Sequence, residues 1–301
     1  MNDDPPKKSF TSAVLFMVTS ATCLSFVGLL GKIGLSDLPL TSILFWRFFS
    51  AFLVCLVFIH YRGQIKKISH KKLTPHLIRA FFVLGSQYSF FYYANRESLL
   101  NATALLNTGP LFIPIIERVF LKKTIRKSTW VAIGVAFAGV LCILQPGIEI
   151  LSPLIIVGIL SGFSQGCSQV VFGINSKEER SDLNVLYLLF LCSFFTLFPY
   201  LLFSPEANKN PELSLTSFVI VLGLGTVTFC NQIFRAEAYQ RSAPGKLAVF
   251  TYISVVLAGI WDALFFKTPP NYLAILGSSL VILGGGLKIY LRNKALKKYQ
   301  G

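Results

Sequence analysis

Residues 85–123 read GSQYSFFYYANRESLLNATALLNTGPLFIPIIERVFLKK, and residues 230–268 read CNQIFRAEAYQRSAPGKLAVFTYISVVLAGIWDALFFKT. At a spacing of 145 positions, with no gap, Gln87 falls on Gln232, Arg96 on Arg241, Glu117 on Asp262, Phe120 on Phe265 and Lys122 on Lys267; farther on, Gly139 falls on Gly284. This shared offset marks the chain as two copies of one unit. Each copy holds five apolar runs, and an odd number of spans sends the second copy into a bilayer upside down, the inverted-repeat architecture of many secondary transporters.

The composition around these stretches is that of a membrane protein. Of 301 residues, 53% are apolar and 14% charged, with a mean hydropathy of +0.63, whereas a soluble domain carries about 25% charged residues. Runs of about 20 apolar residues, enough for a helix to cross the hydrocarbon core, predict an all-α integral membrane fold of ten helices. They fall near Ser12 to Ile33, Leu40 to Tyr61, Pro75 to Asn95, Ser98 to Leu121, Ser128 to Gln145, Pro153 to Ile174, Leu183 to Phe203, Leu213 to Phe234, Pro244 to Phe266 and Asn271 to Leu291. The first unit is then 11–147 and the second 152–292, with a disordered tail at 1–10 and a basic tail at 293–301.

Cationic loops resist translocation, so their distribution sets orientation. Lys7, Lys8, the 62–72 loop, Arg118 to Lys127, Lys177, Arg180, Arg235, Arg241, Lys246 and the 292–298 segment share one side; Lys32, Arg96, Lys209 and Lys267 take the other. Both termini are therefore expected in the cytoplasm, and the first span is expected to remain as a helix, since it is too long for a signal-peptide core. The net charge of +15 reads as a topology signal and an attraction for anionic lipid, not as a nucleic-acid footprint. The six cysteines, all inside spans without C-x-x-C spacing, read as packing residues. His60, His70 and His76 are expected to be solvated in or beside one Lys-rich loop, with no metal site.

The chain lacks G-x-x-x-x-G-K-S/T and H-E-x-x-H, which excludes phosphate-loop ATP hydrolysis and the common zinc-protease centre. What the spans carry is polar residues at helical spacing, each costly in hydrocarbon unless it faces protein or water. Thr19, Thr22 and Ser25 recur in span one; Ser161, Gln165, Ser168, Gln169 and Phe172 trace a stripe in span six. Spans three and eight bring Gln87, Tyr88, Tyr92, Asn231 and Gln232; spans four and nine bring Asn107 and Tyr252. A central chamber lined by spans one, three, four, six, eight and nine would wet all of them, leaving spans two, five, seven and ten for packing. Ser and Thr serve equally well as interhelical bonds worth about 1 kcal/mol, whereas large amides near mid-span point to a bound molecule.

Four charges complete the candidate set. An unpaired Arg47 in span two would cost roughly 2.5–3.5 kcal/mol on insertion scales, so it requires a partner or a watery crevice. Glu117 and Asp262 are either gating carboxylates or interface ion pairs, the first with Arg118 or Lys122 and the second with Lys267. Arg235 is expected on an inner rim with Glu237. The row Gly158, Gly162, Gly166 in span six allows close approach of backbones. Pro110 and Pro114 are expected to kink span four alone, because span nine has no proline at the matching places.

Taken with these features, Leu38-Pro39-Leu40 through Phe45-Trp46-Arg47, the stretch Asn107-Thr108-Gly109-Pro110-Leu111-Phe112, and the glycines Gly139 and Gly284 resemble the drug/metabolite transporter superfamily, EamA type. The resemblance covers about Ser12 to Leu291 and implies ten spans in two repeats and a transport function without cofactor. The family's L-G-E pattern after spans four and nine is replaced by Leu121-Lys122-Lys123 and Phe266-Lys267-Thr268. The lining suits an amino acid or derivative; S-adenosylmethionine or another nucleoside-like metabolite is the alternative, since tyrosines can stack on a base and some members carry it. A non-transporting scaffold or channel is the competing class, as is a monomer against a homodimer for assembly. If the topology is right, an impermeant thiol reagent labels cysteines placed at Lys7 and Lys298 from the same membrane face; labelling from opposite faces contradicts it.

Overall fold

The computed structural model describes residues 10–63, 73–122, 127–144, 153–203, 215–267 and short pieces between 271 and 284. Apart from Phe10, both predicted tails, with the 64–72 part of the basic loop and most of the tenth predicted span, lie outside the described residues. Within them there is helix and no strand: α1 Phe10–Gly34, α2 Leu40–Tyr61, α3 Thr74–Ala94, α4 Leu99–Leu106, α5 Gly109–Leu121, α6 Lys127–Leu144, α7 Pro153–Glu178, α8 Ser181–Phe203 and α9 Leu215–Arg241. There follow α10 Pro244–Leu247, a 3₁₀ turn Ala248–Tyr252 and α11 Ile253–Phe265. Helix starts follow local chemistry. Pro39 holds the extended conformation before α2, the Ser98 hydroxyl accepts from the Asn101 N–H at 3.0 Å, and prolines open α3, α5 and α10, where no intrahelical bond is lost.

Seven segments among the described residues are long and apolar enough to cross a bilayer: 10–34, 40–61, 99–121, 154–178, 181–203, 217–241 and 244–265. Large apolar side chains such as Leu53, Phe81, Val119, Ile156, Phe198 and Leu264 stand exposed on the outside, while arginines, amides and carboxylates lie within. This inversion of the soluble pattern identifies a multi-pass membrane protein.

The helices pair across the two copies. α1 runs antiparallel along α9, with Phe16 stacked on Phe234, Ser20 bonded to Asn231 and Gly34 near Ile220. α3 runs antiparallel along α7, with Arg79 over Phe172 and Ser86 opposite Gln165. Shifting both partners of the Ser20–Asn231 contact by 145 gives Gln165 and Ser86, so one contact is the image of the other. α2 and α8 pack together and carry Arg47 and Cys192 at equivalent places. These two helices, expected to serve packing, meet at the pseudo-two-fold centre.

Span four breaks between α4 and α5 at Asn107 and Thr108, and span nine breaks at the equivalent point through its 3₁₀ turn, which ends at Tyr252. The expectation that only span four kinks is therefore corrected. Proline is one route to a break; hydroxyls that bond carbonyls three residues back are another, as Thr108 does to Leu105 at 2.7 Å, Thr251 to Ala248 at 2.7 Å and Ser254 to Thr251 at 2.7 Å. Asn107 donates across to Ser254 Oγ at 3.0 Å, joining the two breaks. The glycine row packs on this place: a Cβ on Gly162 would stand 2.1 Å from Thr108 Oγ1 and 2.5 Å from the Leu105 carbonyl oxygen.

Both broken spans end on a lysine in the left-handed region, Lys122 at φ 51° and Lys267 at φ 54°. These are equivalent positions, and glycine is the residue without a Cβ penalty there. The departure from L-G-E thus falls at two helix ends that retain the glycine conformation without the glycine. Lys122→Gly and Lys267→Gly are each expected to stabilise the protein by about 1 kcal/mol, read as a raised Tm in detergent, whereas Lys→Ala at either position gives no gain.

Candidate functional site

Three guanidiniums lie fully inside the helix bundle. Arg47 of α2 donates from Nε to Thr228 Oγ1 at 2.9 Å and from an NH group to Gln87 Oε1 at 2.6 Å. Arg79 of α3 donates to Asn184 Oδ1 at 2.7 Å, to the Asn184 carbonyl at 3.3 Å and to Gln232 Oε1 at 2.8 Å. Its guanidinium carbon lies 3.2 Å from the Phe172 ring centre. Arg235 of α9 donates from Nε to Ser20 Oγ at 3.1 Å. None of the three forms an ion pair among the described residues. Arg79 Nε and one terminal nitrogen of Arg235 are buried without any acceptor.

A continuous chain of polar contacts joins two of these cations. Arg79 bonds Gln232; the Gln232 amide donates to Asn231 Oδ1 at 3.4 Å; Asn231 donates to the Ser20 carbonyl at 2.7 Å; and Ser20 Oγ accepts from Arg235. Nearby, Tyr239 donates to Gln169 Oε1 at 2.7 Å and Phe172 packs edge-on to Tyr239. The structure therefore gathers Gln87, Gln169, Asn231, Gln232, Arg47 and Arg235 into a polar interior. Gln165 stands at its margin, 3.5 Å from Ser86 Oγ, and Asn107 is engaged at the helix breaks. Tyr88 and Tyr252 keep buried hydroxyls without partners. Tyr92 is not brought in: it is exposed, with Arg96 stacked over its ring at 3.7 Å.

Several expectations change. Arg235 is not a rim residue; it is buried, while Glu237 pairs with Arg241 at 2.5 Å. Thr19 faces outward and bonds its own helix, and its neighbour Ser20 is the span-one residue that meets the second copy. His76 is not solvated: it is buried with Nε2 3.0 Å from Glu179 Oε2, its ring against Tyr187. Arg79, Asn184 and Tyr239 escaped sequence reading altogether. Arg79 lies little more than a turn inside α3 and resembles one more loop cation by position; its signal was its place within the apolar run Leu77–Val83.

Both carboxylates are buried, and the partners of Asp262 are other than the expected Lys267. Asp262 is buried at the end of α11 and accepts from the backbone N–H groups of Leu99 at 3.3 Å and Leu100 at 2.6 Å, the first turn of α4, with Lys32 Nζ at 3.9 Å. Glu117, also buried, lies against Gly245 in the first turn of α10, where an added Cβ would stand 2.5 Å from Oε2. Leu100 and Gly245 are 145 apart, as are Glu117 and Asp262. Each copy thus ends its broken span on the first turn of the other's, and Asp262 shows the favourable meeting of carboxylate with orphan N–H groups and positive helix end.

Broken, antiparallel spans around buried polar side chains define a membrane transporter. The chain belongs to the EamA-like transporter family, whose model matches it twice, over residues 11–145 and 152–287. It is similar to a riboflavin transporter of Vibrio cholerae serotype O1, 28% identical over 89% of this chain and 90% of that one. It is also similar to an S-adenosylmethionine uptake transporter of Rickettsia felis, 22% identical over 99% of this chain and 98% of the other. A crystal structure at 15% identity superposes with a TM-score of 0.77 over 94% of this chain and 99% of its own, which shows the same fold.

Removing the Asp262 carboxylate leaves two buried N–H groups without acceptors. Asp262→Ala is expected to lower stability by about 2 kcal/mol, the range for hydrogen bonds to a charged group, and Asp262→Asn, which keeps one acceptor, by less. Thermal unfolding in detergent checks the order.

Proposed function

We propose that this chain moves a small metabolite bearing a heteroaromatic ring across the inner (plasma) membrane, with both termini cytoplasmic, by alternating access and without ATP. The observation that carries the reading is the reciprocal contact of the broken spans. Asp262 meets the start of α4 at one end and Glu117 meets the start of α10 at the other. Releasing one contact while the other holds would open one face of the bundle, and exchanging them would open the opposite face. Asn107 and Ser254, joined at the breaks, lie where such a motion would pivot.

Two observations favour a ring-bearing cargo over a plain amino acid. The relatives above carry the names riboflavin and S-adenosylmethionine, both heterocyclic. Tyr88 and Tyr252 also offer aromatic faces with unsatisfied hydroxyls, suited to stacking plus one hydrogen bond. Gln87, Gln165, Asn231 and Gln232 would supply the directional bonds, with Arg47 fixing the Gln87 amide through its oxygen.

Counterflow in proteoliposomes tests this. Unlabelled riboflavin or S-adenosylmethionine trapped inside should accelerate entry of the same labelled compound severalfold, and leucine should not. Acceleration by leucine alone restores the amino-acid reading; flux without acceleration identifies a channel, and no flux with any cargo a scaffold.

A further inference from the structure

Arg79 and Arg235 are each only 1% exposed. They sit on facing helices of the two copies and are linked through Gln232, Asn231 and Ser20, every acceptor around them being neutral. A third cation, Arg47, is likewise held by an amide and a hydroxyl. Buried guanidiniums are ordinarily matched by carboxylates, because neutral acceptors leave the charge itself uncompensated in a medium of low dielectric constant. The acids in this part of the fold are placed elsewhere: Glu117 against Gly245 at the start of α10, Asp182 on Arg180, Glu237 on Arg241 and Glu179 beside His76. Two N–H donors, one on Arg79 and one on Arg235, point at no acceptor.

We infer that Arg79 and Arg235 form a site for an oxyanion, a carboxylate or phosphate carried by the transported molecule, which supplies the missing negative charge. The inference rests on the carrier reading above and, within it, favours S-adenosylmethionine, which carries a carboxylate, over riboflavin, which carries neither group. Guanidinium geometry favours this chemistry, since its planar donors match two oxygens at once. Gln232 and Asn184 hold the Arg79 fork and Ser20 holds Nε of Arg235, which leaves the free donors preorganised.

A cavity of about 400 Å³ opens where α9 ends and is lined in part by Lys177, Gln240, Arg241 and Lys246. Arg235 lies six residues before Arg241 on the same helix, about 9 Å along its axis. A basic mouth at this end of the bundle attracts the anionic group of a cargo.

Detergent-purified protein, titrated with inorganic phosphate or acetate at constant ionic strength set by chloride, provides the test. Phosphate should raise Tm saturably, and Arg79→Gln or Arg235→Gln should weaken the apparent affinity at least about tenfold, the loss of one charge-assisted bond. Arg79→Lys, which keeps the charge, should recover part of it. Should these variants fail to fold, the wild-type chain carries a second readout, in which phosphate slows modification of Arg79 by phenylglyoxal, followed by peptide mass spectrometry. No stabilisation beyond the chloride control together with no protection of Arg79 overturns the proposal. So does stabilisation by phosphatidylglycerol in the micelle but by neither soluble anion, which assigns the arginines to a lipid headgroup. Because binding is read without transport, a failed counterflow experiment leaves this result interpretable, and a failed phosphate titration leaves the carrier reading intact.

Discussion

A polar group placed in hydrocarbon has no water to bond, so the chain must supply its partner. Here many of the partners distant in sequence come from the other copy of the repeat. Asp262 of the second copy bonds the backbone at the start of α4 in the first, Arg79 of the first bonds Asn184 and Gln232 of the second, and Arg47 reaches Thr228. The two halves are thus mutually required for solvation of their own polar groups. This requirement explains why α1 lies along α9 and α3 along α7, in place of each unit closing on itself.

The same requirement relates stability to motion. Close packing at Gly162 against the span-four break brings backbone to backbone, a contact that tolerates no added atom. The start of span four and the end of span nine, by contrast, are joined by backbone N–H groups donating to one carboxylate, with each span already interrupted near its middle. Interrupted helices in membranes occur where they are buried in protein or line water, because the freed carbonyls and N–H groups need partners there. Asn107, Thr108, Thr251 and Ser254 provide such partners through short side chains.

Much of this architecture was legible in the sequence, and the reason is physical. A register of 145 relates Glu117 to Asp262 and Lys122 to Lys267, and both pairs occupy equivalent places in three dimensions. The apolar runs gave most helix positions within a few residues, since the length of a span is fixed by bilayer thickness; α9 runs seven residues past its apolar run, to Arg241, and so carries Arg235 inside. Three kinds of feature were not legible. Direction around a helix was one, as Thr19 and Ser20 differ only by 100° of rotation and no periodicity in α1 separates them. A helix break made by Thr and Ser hydroxyls was another, because those residues also sit in unbroken helices. Charge buried near a span end was the third: Arg79 and His76 resemble the loop cations beside them until the facing helix is known.

The central claim is that the two ends of the bundle open in alternation, and cysteine cross-linking tests it most directly. In a chain freed of its six native cysteines, one pair replaces Lys122 and Lys246 at one end, and the equivalent pair replaces Lys267 and Asn101 at the other. Alternation predicts that adding cargo changes cross-linking yield in opposite directions at the two ends, and that locking either end stops exchange. Cross-links that form at both ends in one molecule while exchange continues would contradict it.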